Sequence, residues 1–237
     1  MIKIHLFIAL ILISIPSLSQ SNKGRIMING SGNYLQNKND YWSSDNTSKS
    51  TYIITQFGSS LKVGYFLTNR FALGIDGGIN SYKTKQINTT GGNPYKNSTI
   101  NYRPGIFMRY NQPILNDKFG IFLTFTTNYE LEKGWKNNFS MDMNGNVVET
   151  ITHSKGTGYS TALSPGLYYF LNNRLSMEMV LGNFSYYDIK TTSPEDPLTI
   201  KRNKEFSSNF SISNIYLGVT FYFGKNKNVT PSSETNK

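Results

Sequence analysis

The 237-residue sequence contains no cysteine, so it has no disulfide framework, no thiol nucleophile and no cysteine-based zinc or iron–sulfur site. An N-terminal lipid anchor on cysteine is excluded for the same reason. Charged residues make up only 16% of the chain, well below the usual ~25%. Aromatic residues reach 14%, which is the reverse of a disordered composition. The sequence therefore predicts one large β-rich domain, with no cofactor and no metal site.

Long apolar runs are absent except at the N-terminus. There, Lys3 precedes an apolar run from Leu6 to Ile15, and a small residue stands on either side of Leu18. This pattern is typical of a secretory signal, which we expect to span residues 1–19. An uncleaved membrane helix is the alternative, but the run has about half of the ~20 residues that a bilayer span needs. Since no later run is long enough either, any membrane span must consist of strands.

From Gly24 onward, apolar and small or polar residues alternate with a period of two, which predicts strands rather than helices. The clearest segment is 118–131, where large apolar or aromatic side chains occupy every second position except Thr127. The alternation predicts an all-β fold of eight antiparallel strands with these limits: 24–35, 51–66, 70–82, 99–111, 118–131, 158–170, 174–187 and 207–223.

Six charged residues within the predicted strands lie on the face opposite the large apolar side chains. A lysine or arginine facing lipid at mid-bilayer costs about 2–4 kcal/mol, whereas a barrel lumen can accept the charge. We interpret this set as a lumen charge network that fills the barrel with buried ion pairs; a selectivity filter or gate is the alternative. Its members are Lys62, Asp76, Arg103, Arg109, Glu130 and Glu178.

Aromatic residues on the apolar face recur at a spacing that suits a membrane. Phe119 and Tyr129 lie ten residues apart, as do Tyr159 and Tyr169. Ten residues of a tilted strand rise about 25 Å, the height of a lipid-facing band between aromatic girdles. A soluble sandwich or lipocalin-like barrel gives no reason for this spacing. The predicted girdle consists of Tyr65, Tyr102, Tyr110, Phe119, Tyr129, Tyr159, Tyr169 and Phe223.

The predicted connections alternate between short turns and long loops. Short turns follow the second, fourth and sixth strands, and the long segments are 36–50, 83–98, 132–157 and 188–206. This pattern indicates a barrel domain over residues 20–223, with long external loops and both termini in the periplasm. Pro104 and Pro165 fall inside predicted strands, where we expect bulges or bends. The polar segment 224–237 is predicted to be a disordered periplasmic tail.

The segments SLKVGYFLTNRFALGIDGGI and RPGIFMRYNQPILNDKFGIFLTF and the final LGVTFYF resemble the small porin-family outer-membrane β-barrel proteins. Within that family, the sequence is similar to the transmembrane domain of outer-membrane protein A. The resemblance covers essentially the whole mature chain. It implies an eight-stranded antiparallel up-and-down transmembrane β-barrel in the bacterial outer membrane. It also implies insertion by the barrel-assembly machinery, which would read the aromatic end of the last strand, Phe221 and Phe223.

The sequence offers little catalytic chemistry. His153 is the one histidine after the signal, and it falls in the middle of a predicted loop with Asp142 and Glu149 nearby in sequence. Some barrels of this size resemble lipid A acyl-chain enzymes that use a histidine and a serine at the membrane rim. His153 does not lie beside a predicted girdle, and we therefore expect a protein that is not an enzyme.

Two functions remain open. The first is a non-enzymatic, membrane-anchored scaffold whose long external loops serve envelope integrity, adhesion or ligand binding. The alternative is a small passive porin-like channel for ions or small solutes.

The chain has 24 lysines and arginines against 14 acidic residues, and Lys83, Lys85 and Lys96 lie in one predicted loop without an acid. We expect this charge to meet outer-membrane lipids and lipopolysaccharide. A secreted chain without a recognition motif is not expected to bind nucleic acid. No polar seam is evident on the lipid-facing side, which is typical of a monomer.

Overall fold

In the computed structural model of the chain, residues 22–42, 49–88, 95–115, 118–141, 147–193, 196–210 and 216–224 are described. The predicted signal, and the predicted tail from residue 225 onward, lie outside this part of the chain. No helix within these ranges is long and apolar enough to cross a membrane. The described residues form ten strands: β1 (Ile26–Trp42), β2 (Lys49–Phe66), β3 (Phe71–Asn88), β4 (Tyr95–Leu115), β5 (Phe119–Met141), β6 (Val147–Asn172), β7 (Leu175–Val180), β8 (Asn183–Ser193), β9 (Asp196–Asn209) and β10 (Tyr216–Phe223).

These strands build an antiparallel ring of eight wall strands. β1 to β6 pair in chain order, β6 pairs with both β7 and β8, β7 pairs with β10, and β10 returns to β1. The seventh wall strand thus consists of β7 and β8, and the eighth consists of β9 and β10. The predicted up-and-down barrel of eight strands is confirmed. We call the end with the turns 67–70 and 173–174 the turn end, and the opposite end the hairpin end.

The outer surface of the wall is apolar, which a soluble barrel could not tolerate. Ile75, Ile106 and Leu217 are 65%, 59% and 59% exposed, and the inward neighbours of such residues are small, polar or buried. Contiguous apolar surface on this scale marks contact with lipid. The inward and outward alternation of each strand is therefore that of a membrane barrel.

The seventh wall strand contains a bulge. Four steps from Val180 to Phe184 lie opposite three steps on β6, from Gly166 to Leu163. One extra residue reverses the alternation of side chains, so even-numbered residues point inward on β7 and outward on β8. The single unbroken strand predicted over 174–187 is thus wrong in its second half, because alternation alone does not reveal an inserted residue.

Gly182 and Pro165 mark this break on the two strands. Gly182 has a positive φ of 152°, and the backbone N–H of Leu181 donates to the Pro165 carbonyl at 3.0 Å. An irregularity is therefore present opposite Pro165 as expected, but the extra residue of the bulge lies on the partner strand and not on the strand of the proline. Pro104 causes no register shift with either neighbouring strand. It pairs with Gly77 on β3, and the pairing of β4 with β5 has the same register before and after it.

Most residues of the predicted long loops are strand. β5 continues to Met141, twelve residues beyond Tyr129, and β6 begins at Val147. The expectation of long external loops over 36–50, 83–98, 132–157 and 188–206 is corrected to extended β-hairpins. The sequence hid them because these segments lie beyond the apolar band, where both faces carry polar residues and the alternation disappears. Twelve residues of tilted strand rise about 30 Å.

The wall closes differently in its two halves. At the turn end β1 pairs with β10 from Ile26 to Gly32 and with β2 on its other edge. From Asn33 to Trp42, β1 pairs only with β2 among the described residues, and β9 pairs only with β8. Among the described residues, strand pairing therefore closes the ring completely only in the turn-end half.

Candidate functional site in the barrel lumen

Large side chains fill the lumen at the turn end. Tyr222 lies at its centre, with ring centroids 5.0 Å from Phe170 and 6.0 Å from Phe66. All members of the cluster are at most 4% exposed. We call it the aromatic plug, and it consists of Met27, Phe66, Ala72, Phe107, Phe122, Tyr168, Phe170 and Tyr222.

The rings of the plug lie over inward-facing glycines of neighbouring strands. A Cβ at Gly166 would lie 2.2 Å from Cζ of Phe122, and one at Gly74 would lie 2.7 Å from Cε1 of Phe107. Each ring therefore occupies the space that a side chain on the next strand would need. The pairing of glycines with aromatic residues across strands is what lets eight strands enclose such large groups.

Arg25 covers the plug at the turn end. It is 1% exposed, its guanidinium lies 5.1 Å from the ring centroid of Tyr222, and Nη1 donates to Oδ1 of Asn22 at 3.1 Å. Nη2 donates to the backbone carbonyl of Asn173. The sequence analysis did not identify Arg25 as a lumen residue. The available signal was its position, because Arg25 lies on the same face of the strand as Met27 and Asn29.

A bidentate ion pair crosses the lumen above the plug. Arg109 donates to both carboxylate oxygens of Glu178, at 2.7 and 2.9 Å, and the side chains are 2% and 4% exposed. Asn29 donates to the same carboxylate at 3.1 Å, and Thr220 also donates to it. Nε of Arg109 donates to Asn111 at 2.7 Å. Both charges are thus neutralised and hydrogen-bonded, as a buried pair requires.

A second pair lies nearer the hairpin end. Nζ of Lys62 lies 3.4 Å from Oδ1 of Asp76 and donates to Ser60 at 3.0 Å. Asn128 donates to the other Asp76 oxygen at 3.1 Å. The two residues face each other on adjacent strands, so the pair follows from the register of β2 and β3.

The remaining two charges of the predicted network form no ion pair within the described residues. Glu130 is 3% exposed and accepts hydrogen bonds from Asn101 and Ser160. Arg103 donates from Nη2 to Asn80 at 3.3 Å, and its Nε is buried without a hydrogen-bond acceptor in the described part of the chain. The structure therefore brings four of the six predicted residues into two pairs, and no described carboxylate lies within ion-pair distance of Arg103.

A cavity of about 270 Å³ occupies the lumen on the hairpin side of the plug. The wall there carries short inward side chains, in contrast to the rings below. The lining includes Ser31, Ser60, Lys62, Asp76, Arg103, Arg109, Asn128, Ala162, Ser164, Glu178 and Gly218. Among the described residues, no group of histidine, aspartate and glutamate side chains is placed to hold a metal ion.

The predicted girdle residues occupy two levels on the outer surface. Tyr65, Tyr110, Phe119, Tyr169 and Phe223 lie at the turn end, where Phe119 pairs with Tyr169. Tyr102, Tyr129 and Tyr159 form an upper row, in which the rings of Tyr129 and Tyr159 are 5.3 Å apart. The upper row lies in the middle of its strands, because those strands continue past it.

The hairpin extensions carry the remaining candidates. Lys85 pairs with Lys96 across β3 and β4, and Lys133 pairs with Lys155 across β5 and β6. Lysine contact with lipopolysaccharide stays a prediction. His153 lies six residues beyond Tyr159 on β6, away from the upper aromatic row.

Near Trp42, at the hairpin end of β1, the Asp40 carboxylate lies 2.8 Å from Nζ of Lys49 and accepts a hydrogen bond from Thr51 at 2.7 Å. These hydrogen bonds, with Lys49 the larger contributor, lower the pKa of Asp40. The carboxylate therefore helps to join the ends of β1 and β2.

A family model for the outer membrane protein beta-barrel domain matches residues 5–223. No curated protein matches the chain by sequence. Solved structures similar to it include the outer membrane protein OprG of Pseudomonas aeruginosa, 14% identical over 86% of this chain and 98% of OprG, with a TM-score of 0.43. Ail, the attachment invasion locus protein of Yersinia pestis, is 13% identical over 85% of this chain and 99% of its own, with a TM-score of 0.37. The outer membrane protease OmpT of Escherichia coli is 9% identical over 88% and 96%, also with a TM-score of 0.37.

Proposed function

Because the chain belongs to the outer-membrane protein β-barrel domain family, we propose that it is a non-conducting scaffold anchored in the bacterial outer membrane, with its binding surfaces at the hairpin end. We orient the turn end and both termini toward the periplasm, since outer-membrane barrels have short periplasmic turns and longer external connections. The extended hairpins and the cavity between them then face the exterior.

The observation that carries this proposal is the filled turn end of the lumen. The aromatic plug is almost completely buried, Arg25 covers it on one side, and the Arg109–Glu178 pair crosses the lumen on the other. An eight-stranded barrel is just wide enough for side chains to fill its interior. This packing supports a closed lumen over the passive channel, which needs a water-filled path along the whole axis.

The hairpins supply the surface for adhesion or ligand binding. The β5–β6 hairpin extends about 30 Å beyond the upper aromatic row. The end of β1 presents the large side chains of Tyr41 and Trp42, which are 58% and 59% exposed. Exposed aromatic residues on a rigid framework are common binding elements. The position of His153, away from the membrane rim, supports a protein that is not an enzyme.

Planar-bilayer recording of the refolded barrel tests the closed lumen. We expect no discrete conductance steps from the wild type, and none from Asp188→Asn, which changes an outward-facing carboxylate on β8. Correct folding is established beforehand by the difference in electrophoretic mobility between unboiled and boiled samples. Regular steps from the wild type that change in size with Glu178→Gln would contradict the proposal and establish a channel through the charged lumen.

A further inference from the structure

The hairpin-side cavity has an excess of positive charge at its wall. Lys62, Arg103 and Arg109 line it, against Asp76 and Glu178. Both carboxylates are already occupied: Glu178 by Arg109 and Asp76 by Lys62. No acidic side chain of the described residues lies within ion-pair distance of Arg103. The excess charge is therefore localised on Arg103.

Arg103 lies farther toward the hairpin end than the paired charges, since it pairs with Gly78, two residues beyond Asp76 on β3. Its strand neighbour Tyr102 belongs to the upper aromatic row, while the Arg103 side chain points inward. The plug and the Arg109–Glu178 pair close the cavity on the turn side. A solute that enters from the hairpin end thus meets Arg103 before it meets the paired charges.

The wall is recessed where the arginine lies. A Cβ at Gly78 would lie 3.2 Å from Nη2 and 3.4 Å from Nε of Arg103, so the guanidinium lies directly over this glycine. On the next strand, the side-chain amides of Asn33 and Asn80 lie over Gly58 in the same way. A Cβ at Gly58 would lie 2.4 Å from Oδ1 of Asn33 and 3.0 Å from Oδ1 of Asn80. Short wall positions thus make room for an arginine and its amide neighbours.

A guanidinium in a partly closed cavity without a counter-charge is unfavourable, because desolvation removes water from it and no carboxylate compensates. Its buried Nε also lacks an acceptor among the described residues. Arginine presents a planar fork of donors that matches carboxylate and phosphate oxygens. Asn33, Gln56 and Asn128 line the same cavity and supply amide groups around that position.

We propose that the hairpin-side cavity binds a small solute that carries an oxyanion group, with Arg103 as its anchoring cation. The volume of about 270 Å³ lies at the lower end of ligand pockets, which restricts the solute to the size of a small metabolite. The inference deepens the proposed scaffold by naming a ligand class for its external side. It requires only that the cavity is reached from the hairpin end, so a conducting barrel would refute the closed lumen and leave this site in place.

Titration of the ¹⁵N-labelled barrel in zwitterionic micelles tests the site, with the Arg103 Nε–H resonance as the readout. Sodium glucuronate probes a carboxylate, inorganic phosphate probes the alternative oxyanion, and glucose is the uncharged counterpart of glucuronate. We expect saturable shifts with at least one anion and none with glucose. Absence of saturation with both anions would overturn the proposal.

Two arginine variants separate anchoring from general charge. Arg103→Gln lacks the Nε–H group that the NMR titration follows, so calorimetry measures the affinity of this variant and of the wild type for the anion. We expect Arg103→Gln to bind the anion at least tenfold more weakly. Arg202→Gln, which changes an exposed arginine outside the cavity, should leave affinity unchanged. Should Arg103→Gln fail to fold, Arg103→Lys keeps the charge but not the planar fork and should bind at least threefold more weakly. Unchanged affinity in the folded Arg103 variant would refute the anchoring role.

Discussion

At the scale of single residues, the difference between buried and exposed ion pairs determines which charges matter. Arg109 and Glu178 are almost completely buried and share a network with Asn29, Asn111 and Thr220. Asp188 also contacts an arginine, Arg202, but on the exposed surface of the β8–β9 hairpin. Solvent screens the second pair and not the first.

We therefore predict that Glu178→Gln destabilises the barrel by about 3–5 kcal/mol, because it leaves the buried guanidinium of Arg109 without a counter-charge. The double variant Arg109→Gln/Glu178→Gln should lose less than the sum of the single variants, since neither charge is then left alone. Urea unfolding in lipid vesicles gives the free energies of unfolding. Asp188→Asn is the matched control and should change stability far less; equal losses for the two carboxylates would contradict the argument.

The sequence revealed which side of the wall these residues occupy but not which of them meet. Parity puts Arg103 and Arg109 on the same face of one strand, and nothing in the sequence distinguishes them. Arg109 reaches Glu178 across the lumen, 69 residues away. Among the described residues, the one side-chain hydrogen bond of the Arg103 guanidinium goes to Asn80. Contacts across the lumen depend on the registers of all the strands between the two residues, which no local pattern contains.

At the scale of elements, the bulge at Gly182 fixes how the seventh wall strand meets the eighth. A Cβ at Gly182 would lie 2.3 Å from the carbonyl oxygen of Asn209 and 3.0 Å from Cα of Phe210. Backbone atoms cannot move aside as a flexible side chain can. The positive φ of 152° adds strain for any residue with a side chain.

Gly182→Ala is consequently predicted to destabilise the barrel by about 1–3 kcal/mol. Gly77→Ala is the matched control, because Gly77 faces outward and a Cβ there has nothing within 4 Å. That control should stay within about 0.5 kcal/mol of the wild type. Equal unfolding free energies for the two alanine variants would show that the bulge does not depend on glycine.

The alternation of residue types predicted where the strands lie, but it did not predict how long they are. Within the apolar band, lipid outside and a packed lumen inside force opposite residue types onto the two faces. Beyond Tyr129, both faces of β5 carry polar or charged residues, such as Lys133 on one face and Lys136 on the other, so the periodic signal disappears. Cross-strand hydrogen bonds hold these extensions, and hydrogen bonds leave no trace in composition.

At the scale of the whole molecule, the barrel consists of two halves with different closure. In the turn-end half, every wall strand pairs on both edges around the aromatic plug. In the hairpin-end half, the described residues of β1 and β9 each pair on one edge only. The aromatic spacing and parity of the sequence predict a closed barrel in the membrane, and this holds for the turn-end half. The sequence did not predict that the eighth wall strand consists of two pieces, β9 beside β8 and β10 beside β7. Alternation within one segment does not show which strand it will pair with.

Amide hydrogen exchange should report the boundary between the two halves at Gly32. From Ile26 to Gly32, β1 has partners on both edges, so consecutive amides should be protected. From Asn33 to Trp42, only amides directed toward β2 have a strand partner among the described residues, so protection should alternate, with every second amide exchanging much faster. The internal control is β2, which pairs with β1 and β3 along its length and should show continuous protection past the same level. Residue-resolved exchange in micelles makes the comparison within one molecule. Continuous protection from Asn33 to Trp42 would mean that another strand covers this edge, and the hairpin-end half of the barrel would then be closed as well.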